Sequence, residues 1–101
     1  MSYKMNVNEI RRKLRKKKNY IKKTFYVREI GIFGSFARKE ESAKSDVDIL
    51  IEFEEGHKDF FNYMRLKYYL KELLGKEVDL VIKGAVKPRL KERILSETEY
   101  V

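Results

Sequence analysis

The run Asp46-Val47-Asp48-Ile49-Leu50-Ile51-Glu52-Phe53 leaves the chain few ways to fold. Residues two apart in an extended strand share a face, so Val47, Ile49, Ile51 and Phe53 form an apolar side while Asp46 and Asp48 place two carboxylates together on the other. That pattern predicts a strand with one face in a core. Two further segments read the same way: Phe25 to Phe33, and Glu77 to Ile82, in which Val78, Leu80 and Ile82 share one face and Asp79 takes the other.

Helical spacing fills the remainder. Asn6 followed by Glu9 resembles a capping box, and Val7, Ile10, Leu14 and Ile21 draw a thin apolar stripe, predicting an amphipathic helix over about residues 7–23. Tyr63, Leu66, Leu70 and Leu73 predict a second helix from Asp59 to Leu74, closed by Gly75. Phe60, Phe61, Met64, Tyr68 and Tyr69 give that helix more apolar surface than one core-facing stripe uses, so it either packs into a broad core or meets a partner. Glu54-Glu55-Gly56-His57 is a turn, and its histidine, without cysteine or a second histidine to share a metal, belongs to the surface. Pro88 is suited to the first position of a last helix carrying Leu90, Ile94 and Leu95, and residues Glu97 to Val101 are expected to finish at the surface.

Paired carboxylates repel unless a cation lies between them. Mg²⁺ suits Asp46 and Asp48, because it takes hard oxygen ligands, commonly one or two carboxylates together with substrate phosphates. Gly34-Ser35 stands between the apolar stretch Glu29 to Phe33 and the helix formers Phe36 to Glu40, which places the pair at a strand-to-helix turn. Glycine there lets the backbone approach an anion, serine adds a hydroxyl donor, and a helix start favours negative charge, so a triphosphate is a fitting ligand. Taken alone, each piece also reads as an ordinary turn or a solvated strand face. Their order is the stronger signal.

Gly34-Ser35-Phe36-Ala37-Arg38, Ser45-Asp46-Val47-Asp48-Ile49-Leu50-Ile51 and Val78-Asp79-Leu80-Val81 resemble, in order, the three motif regions of the nucleotidyltransferase superfamily that includes DNA polymerase β. From about Ile10 to Val101 the chain is most similar to the minimal nucleotidyltransferases, the antitoxin-type members of HEPN/MNT pairs. Lys39 departs from the pattern, since many relatives carry glycine after the arginine. The resemblance implies an α/β minimal nucleotidyltransferase fold, a small twisted mixed sheet with helices mainly on one face. It further implies that Asp46, Asp48 and Asp79 act as catalytic residues and metal ligands, Asp79 as base or third ligand, while Gly34, Ser35 and Arg38 bind the nucleotide. Two Mg²⁺ ions and ATP follow from it, as does AMP transfer to a tyrosine hydroxyl of a HEPN-domain ribonuclease toxin. Other readings are a binding antitoxin without chemistry, the nucleotide-binding subunit of a two-subunit small-molecule transferase, and a basic nucleic-acid-binding module.

The length of 101 residues predicts a single domain over residues 1–101. Absence of cysteine removes disulfides and thiolate metal sites, and with no long apolar segment the expectation is a cytoplasmic protein away from membranes. Nine basic residues and no acid lie between Arg11 and Lys23, so this segment alone exceeds the net charge of +8. Only Tyr20 interrupts it as an aromatic, which disfavours a base-stacking platform and ranks solvated surface first, a protein partner second and nucleic acid third.

Overall fold

Asn6 opens the chain's first helix as its sequence suggests: its side-chain oxygen accepts a hydrogen bond from the Glu9 backbone N–H at 3.1 Å. The protein is described here by a computed structural model covering residues 5–42 and 44–101; residues 1–4 and 43 of the expected domain lie outside the described residues. The expected helix over 7–23 is in fact two, α1 (Val7–Lys16) and α2 (Lys18–Phe25), broken at Lys17. The break keeps both apolar stripes inward: Val7, Ile10 and Leu14 are buried from α1, Ile21 and Phe25 from α2. Phe25, expected to begin a strand, therefore closes a helix, and Tyr26 follows in the left-handed region with φ 56° before β1 (Val27–Phe33) starts.

A short helical turn, α3 (Gly34–Ala37), leads from β1 toward β2 (Val47–Phe53). Helix α4 (Phe60–Leu74) is capped by the Asp59 carboxylate, which accepts from the Asn62 N–H at 2.9 Å, and ends at Gly75 with φ 66°. Strand β3 (Val78–Ile82), a 3₁₀ turn (Lys83–Ala85) and α5 (Pro88–Glu97) follow, with Pro88 at the first turn as expected. The last element, β4 (Glu99–Tyr100), is a strand where only a surface tail was expected. Its pairing comes from outside itself: Gly31 stands opposite Tyr100, and the Val101 N–H donates to the Ile30 carbonyl at 3.0 Å.

The sheet runs in the order β3-β2-β1-β4, with β2 and β3 parallel and the other pairs antiparallel. Val47, Ile49, Ile51 and Phe53 are all buried, as the alternation requires. They join Ile30 and Ile32 of β1, the stripes of α1 and α2, and Leu66, Leu70 and Leu74 of α4 in one core. Each such aliphatic side chain contributes about 1.5–3 kcal/mol by leaving water, which makes the β2 register costly to slip. Asn62 is the one buried polar side chain among the described residues; its amide donates to the carbonyls of Phe25 at 2.7 Å and His57 at 3.0 Å, tying α4 to the end of α2. The sheet's other face carries the acids.

Candidate active site

Register brings the acids together at one end of the sheet. Asp48 of β2 is paired with Asp79 of β3 and, on its other side, with Phe33 at the end of β1. Asp46 precedes β2 by one residue and is exposed, Asp79 is exposed, and Asp48 is half-buried between them. Burial pushes the Asp48 carboxyl up to about 6, helped by the charge of Asp79, a hydrogen bond with Asp79 and the charge of Asp46, with Arg38 opposing. The acids expected from β2 and β3 are therefore neighbours. Among the described residues, no three acid or histidine side chains are gathered tightly enough to hold a metal ion by themselves. That arrangement still fits Mg²⁺, which commonly takes one or two carboxylates and draws its other ligands from phosphate and water.

Gly34 turns the chain directly beside this pair. Its φ is +74°, and a Cβ placed on it would overlap Asp48 Oδ2 and lie 2.8 Å from Asp48 Cγ. Only glycine meets both demands. Ser35 follows, partly exposed, and its carbonyl accepts from the Glu40 N–H at 2.8 Å, closing the turn. Lys39, the departure from the family pattern, adopts φ 61°, the left-handed region in which the relatives' glycine is unstrained.

Arg38 reaches the same cleft, where acids take its Nε and Nη1 donors. Nε donates to Glu40 at 2.7 Å, and Nη1 donates to the two oxygens of Glu97 at 3.0 and 3.1 Å. Sequence reasoning missed Glu97. Nothing in the local pattern of α5 marks it, because its partners lie about sixty residues earlier in the chain. A cleft of about 270 Å³ is bounded by Gly34, Arg38 and Asp48 on one side and by Leu90, Ile94 and Glu97 of α5 on the other. A wider hollow of about 440 Å³ at the C-terminal end of α4 is lined by Lys71, Glu72, Gly75, Lys76 and Glu77 and includes a Lys71–Glu77 ion pair.

Neither the basic segment nor the α4 aromatics line this cleft. Of the nine cations between Arg11 and Lys23, Arg11 is bound to an acid, Glu99 at 2.6 Å. Phe60, Phe61 and Tyr68 are 70%, 78% and 62% exposed, so the surplus apolar surface of α4 is not a broad core. His57 stacks on Tyr26 with ring centroids 3.7 Å apart, outside the acid cluster, in line with a surface role. No helix among the described residues is long and apolar enough to cross a membrane.

A small mixed sheet with carboxylates at one end, beside a glycine turn that only glycine can make, defines a nucleotide-transferring enzyme. The chain belongs to the nucleotidyltransferase domain family, whose model matches residues 9–101, and it is of the minimal kind. A candidate protein adenylyltransferase of Methanocaldococcus jannaschii is 48% identical over 96 residues, covering 94% of this chain and 97% of the relative. Protein adenylyltransferase MntA of Thermococcus cleftensis is 41% identical over 97 residues, covering 96% and 97%. Among solved structures, a candidate minimal nucleotidyltransferase superposes with a TM-score of 0.82 at 34% identity, covering 97% of this chain and 98% of that one. A complex of a tri-AMPylated Shewanella oneidensis HEPN toxin with an MNT antitoxin shares the fold, with a TM-score of 0.60 at 20% identity, covering 87% and 70%.

Proposed function

We propose that this nucleotidyltransferase is an antitoxin that transfers AMP from ATP to a tyrosine hydroxyl of a HEPN-domain ribonuclease toxin, using Mg²⁺. The observation that carries the chemistry is the Asp48–Asp79 pair set level by the β2–β3 register, beside a glycine turn whose missing side chain leaves room for the Asp48 carboxylate. Residues 1–101 act as one catalytic domain in this reading. The names of the sequence relatives support a protein acceptor, and the exposed Phe60, Phe61 and Tyr68 offer the apolar surface through which a partner can be held.

Asp46 and Asp48 would hold Mg²⁺, with Asp79 as base or further ligand, and two ions suit the three acids. Bound there, Mg²⁺ offsets the charge of the phosphates and steadies attacking and leaving oxygens. Gly34 and Ser35 would seat the triphosphate, with Arg38 close to a phosphate. The acceptor oxygen attacks the α-phosphorus, its proton passes to Asp79, the new O–P bond forms, and the bond to the β-phosphate breaks with pyrophosphate leaving. The β2–β3 register, which sets Asp79 opposite Asp48, puts this base beside the metal ligand, where the hydroxyl must arrive.

Incubation with a HEPN-domain partner and ATP labelled at the α-phosphate tests the proposal. Label should appear on a partner tyrosine only when Mg²⁺ is present, and Asp46→Asn or Asp48→Asn should abolish it while the fold persists. Inhibition of the toxin without label would instead assign a covering antitoxin, which the same aromatic surface could serve. Label retained by both variants would overturn the catalytic reading.

A further inference from the structure

Glu97 lies at the last position of α5, and its carboxylate accepts from the Gly34 N–H at 3.2 Å and from Arg38 Nη1 at 3.1 Å through the same oxygen. The second oxygen accepts from Nη1 at 3.0 Å. Although it belongs to an exposed helix, the Glu97 side chain is only 17% exposed. A backbone N–H at an open glycine and a guanidinium are the donors a phosphate oxygen takes, and here one carboxylate takes both.

The surroundings argue that this contact must give way. A triphosphate brings negative charge to a place that already holds Asp48, so a further carboxylate on the same donors opposes it directly. The cleft volume of about 270 Å³ falls below the range of about 300–1,000 Å³ usual for small-molecule sites, and α5 forms one of its walls. No residue of α5 is fully buried and β4 stays anchored to β1 just beyond it, so the Glu97 side chain can turn away without the fold opening. Glu40 holds Arg38 independently through Nε at 2.7 Å, which keeps the guanidinium at the cleft once Glu97 has left.

We infer that Glu97 is a built-in competitor for the nucleotide: its carboxylate occupies the Gly34 and Arg38 donors until a triphosphate displaces it and swings the side chain away. This inference rests on the reading of Gly34 and Arg38 as the phosphate seat. If Glu97 fills the seat about nine-tenths of the time, the apparent Kd of the nucleotide is about tenfold weaker than that of the open site.

Calorimetric titration with magnesium and α,β-methylene ATP, which cannot release pyrophosphate, separates the outcomes. Glu97→Gln keeps the volume and removes the charge, and it should bind about tenfold more tightly than the wild type. Glu97→Asp, too short to span both donors, should fall between the two and serves if the glutamine variant does not fold. Thermal melts of each variant verify the fold. Wild-type binding that Glu97→Gln leaves unchanged or weakens would overturn the inference and make Glu97 a positioning residue, while leaving the phosphate seat intact. Absence of binding by all three folded proteins would remove the seat itself and the inference with it.

Discussion

Removing the charge of Asp48 should destroy activity and make the metal-free protein more stable. A carboxyl at about 6, raised from an ordinary value near 4, binds its proton more tightly in the folded chain than in the unfolded one. The contribution of Asp48 to stability is then fully present below pH 4 and is lost as pH rises through 6. A shift of about two pKa units corresponds to roughly 3 kcal/mol, and because Asp48 is only half-buried, solvent screening reduces that to about 1–2 kcal/mol.

Asp48→Asn keeps the volume and has nothing to ionise. At pH 7.5 with chelator its Tm should exceed that of the wild type by about 4–16 °C, given about 4–8 °C per kcal/mol for a domain of this size. At pH 4 the two should melt together. Added Mg²⁺ should narrow the gap at pH 7.5 by stabilising the wild type alone. Differential scanning calorimetry across this pH range is a sufficient assay. A variant that melts below the wild type at pH 7.5, or one whose advantage is equal at both pH values, would refute the claim that burial and neighbouring acids hold Asp48 in an unfavourable charge state.

Two further substitutions test the turn. Gly34→Ala forces an L-residue to φ +74° and drives its methyl into Asp48, so urea unfolding should show a loss of about 2–4 kcal/mol together with loss of transfer. Wild-type stability in this variant would show that the turn is not held as described. Lys39→Gly relieves a left-handed lysine at φ 61° and should raise stability by about 0.5–1 kcal/mol; an unchanged or lower urea midpoint would remove strain as the reason relatives favour glycine there.

How far the fold could be read from the chain depended on whether local pattern or distant packing decided each piece. Strand β2 was legible because its period-two alternation has no other satisfactory burial, and α4 because its apolar spacing ends at a glycine that takes φ 66°. The Phe25 boundary was not. Phe25-Tyr26-Val27 favours extension by residue type, yet the Phe25 ring packs against Tyr69 of α4 at 5.4 Å and its carbonyl accepts from Asn62. Strand β4 has two residues, too few to show any periodicity, and exists because the edge of β1 offers it partners. For the site, three acids and the glycine turn were readable from motif order, whereas Glu97 is visible only once α5 has folded back over Gly34.

Several departures from good local design, Tyr26 and Asn62 aside, gather at that same end of the sheet. Gly34 and Lys39 hold positive φ values and Asp48 is half-buried among like charges, whereas Asn62, in the core, has partners for both N–H groups of its amide but none for its buried oxygen. Strain and charge conflict confined to a few residues, over a core that otherwise obeys its pattern, are what a site selected for binding rather than for stability looks like. The conflict also has a direction. Every group at the cleft that is destabilised or masked, from the Asp48 carboxylate to the Arg38 guanidinium shared by Glu40 and Glu97, finds its missing counter-charge in either a divalent cation or a phosphate chain. On the proposed function, magnesium would offset the Asp48 charge and a phosphate chain would take the Arg38 donors from Glu97, so each should bind more tightly in the presence of the other.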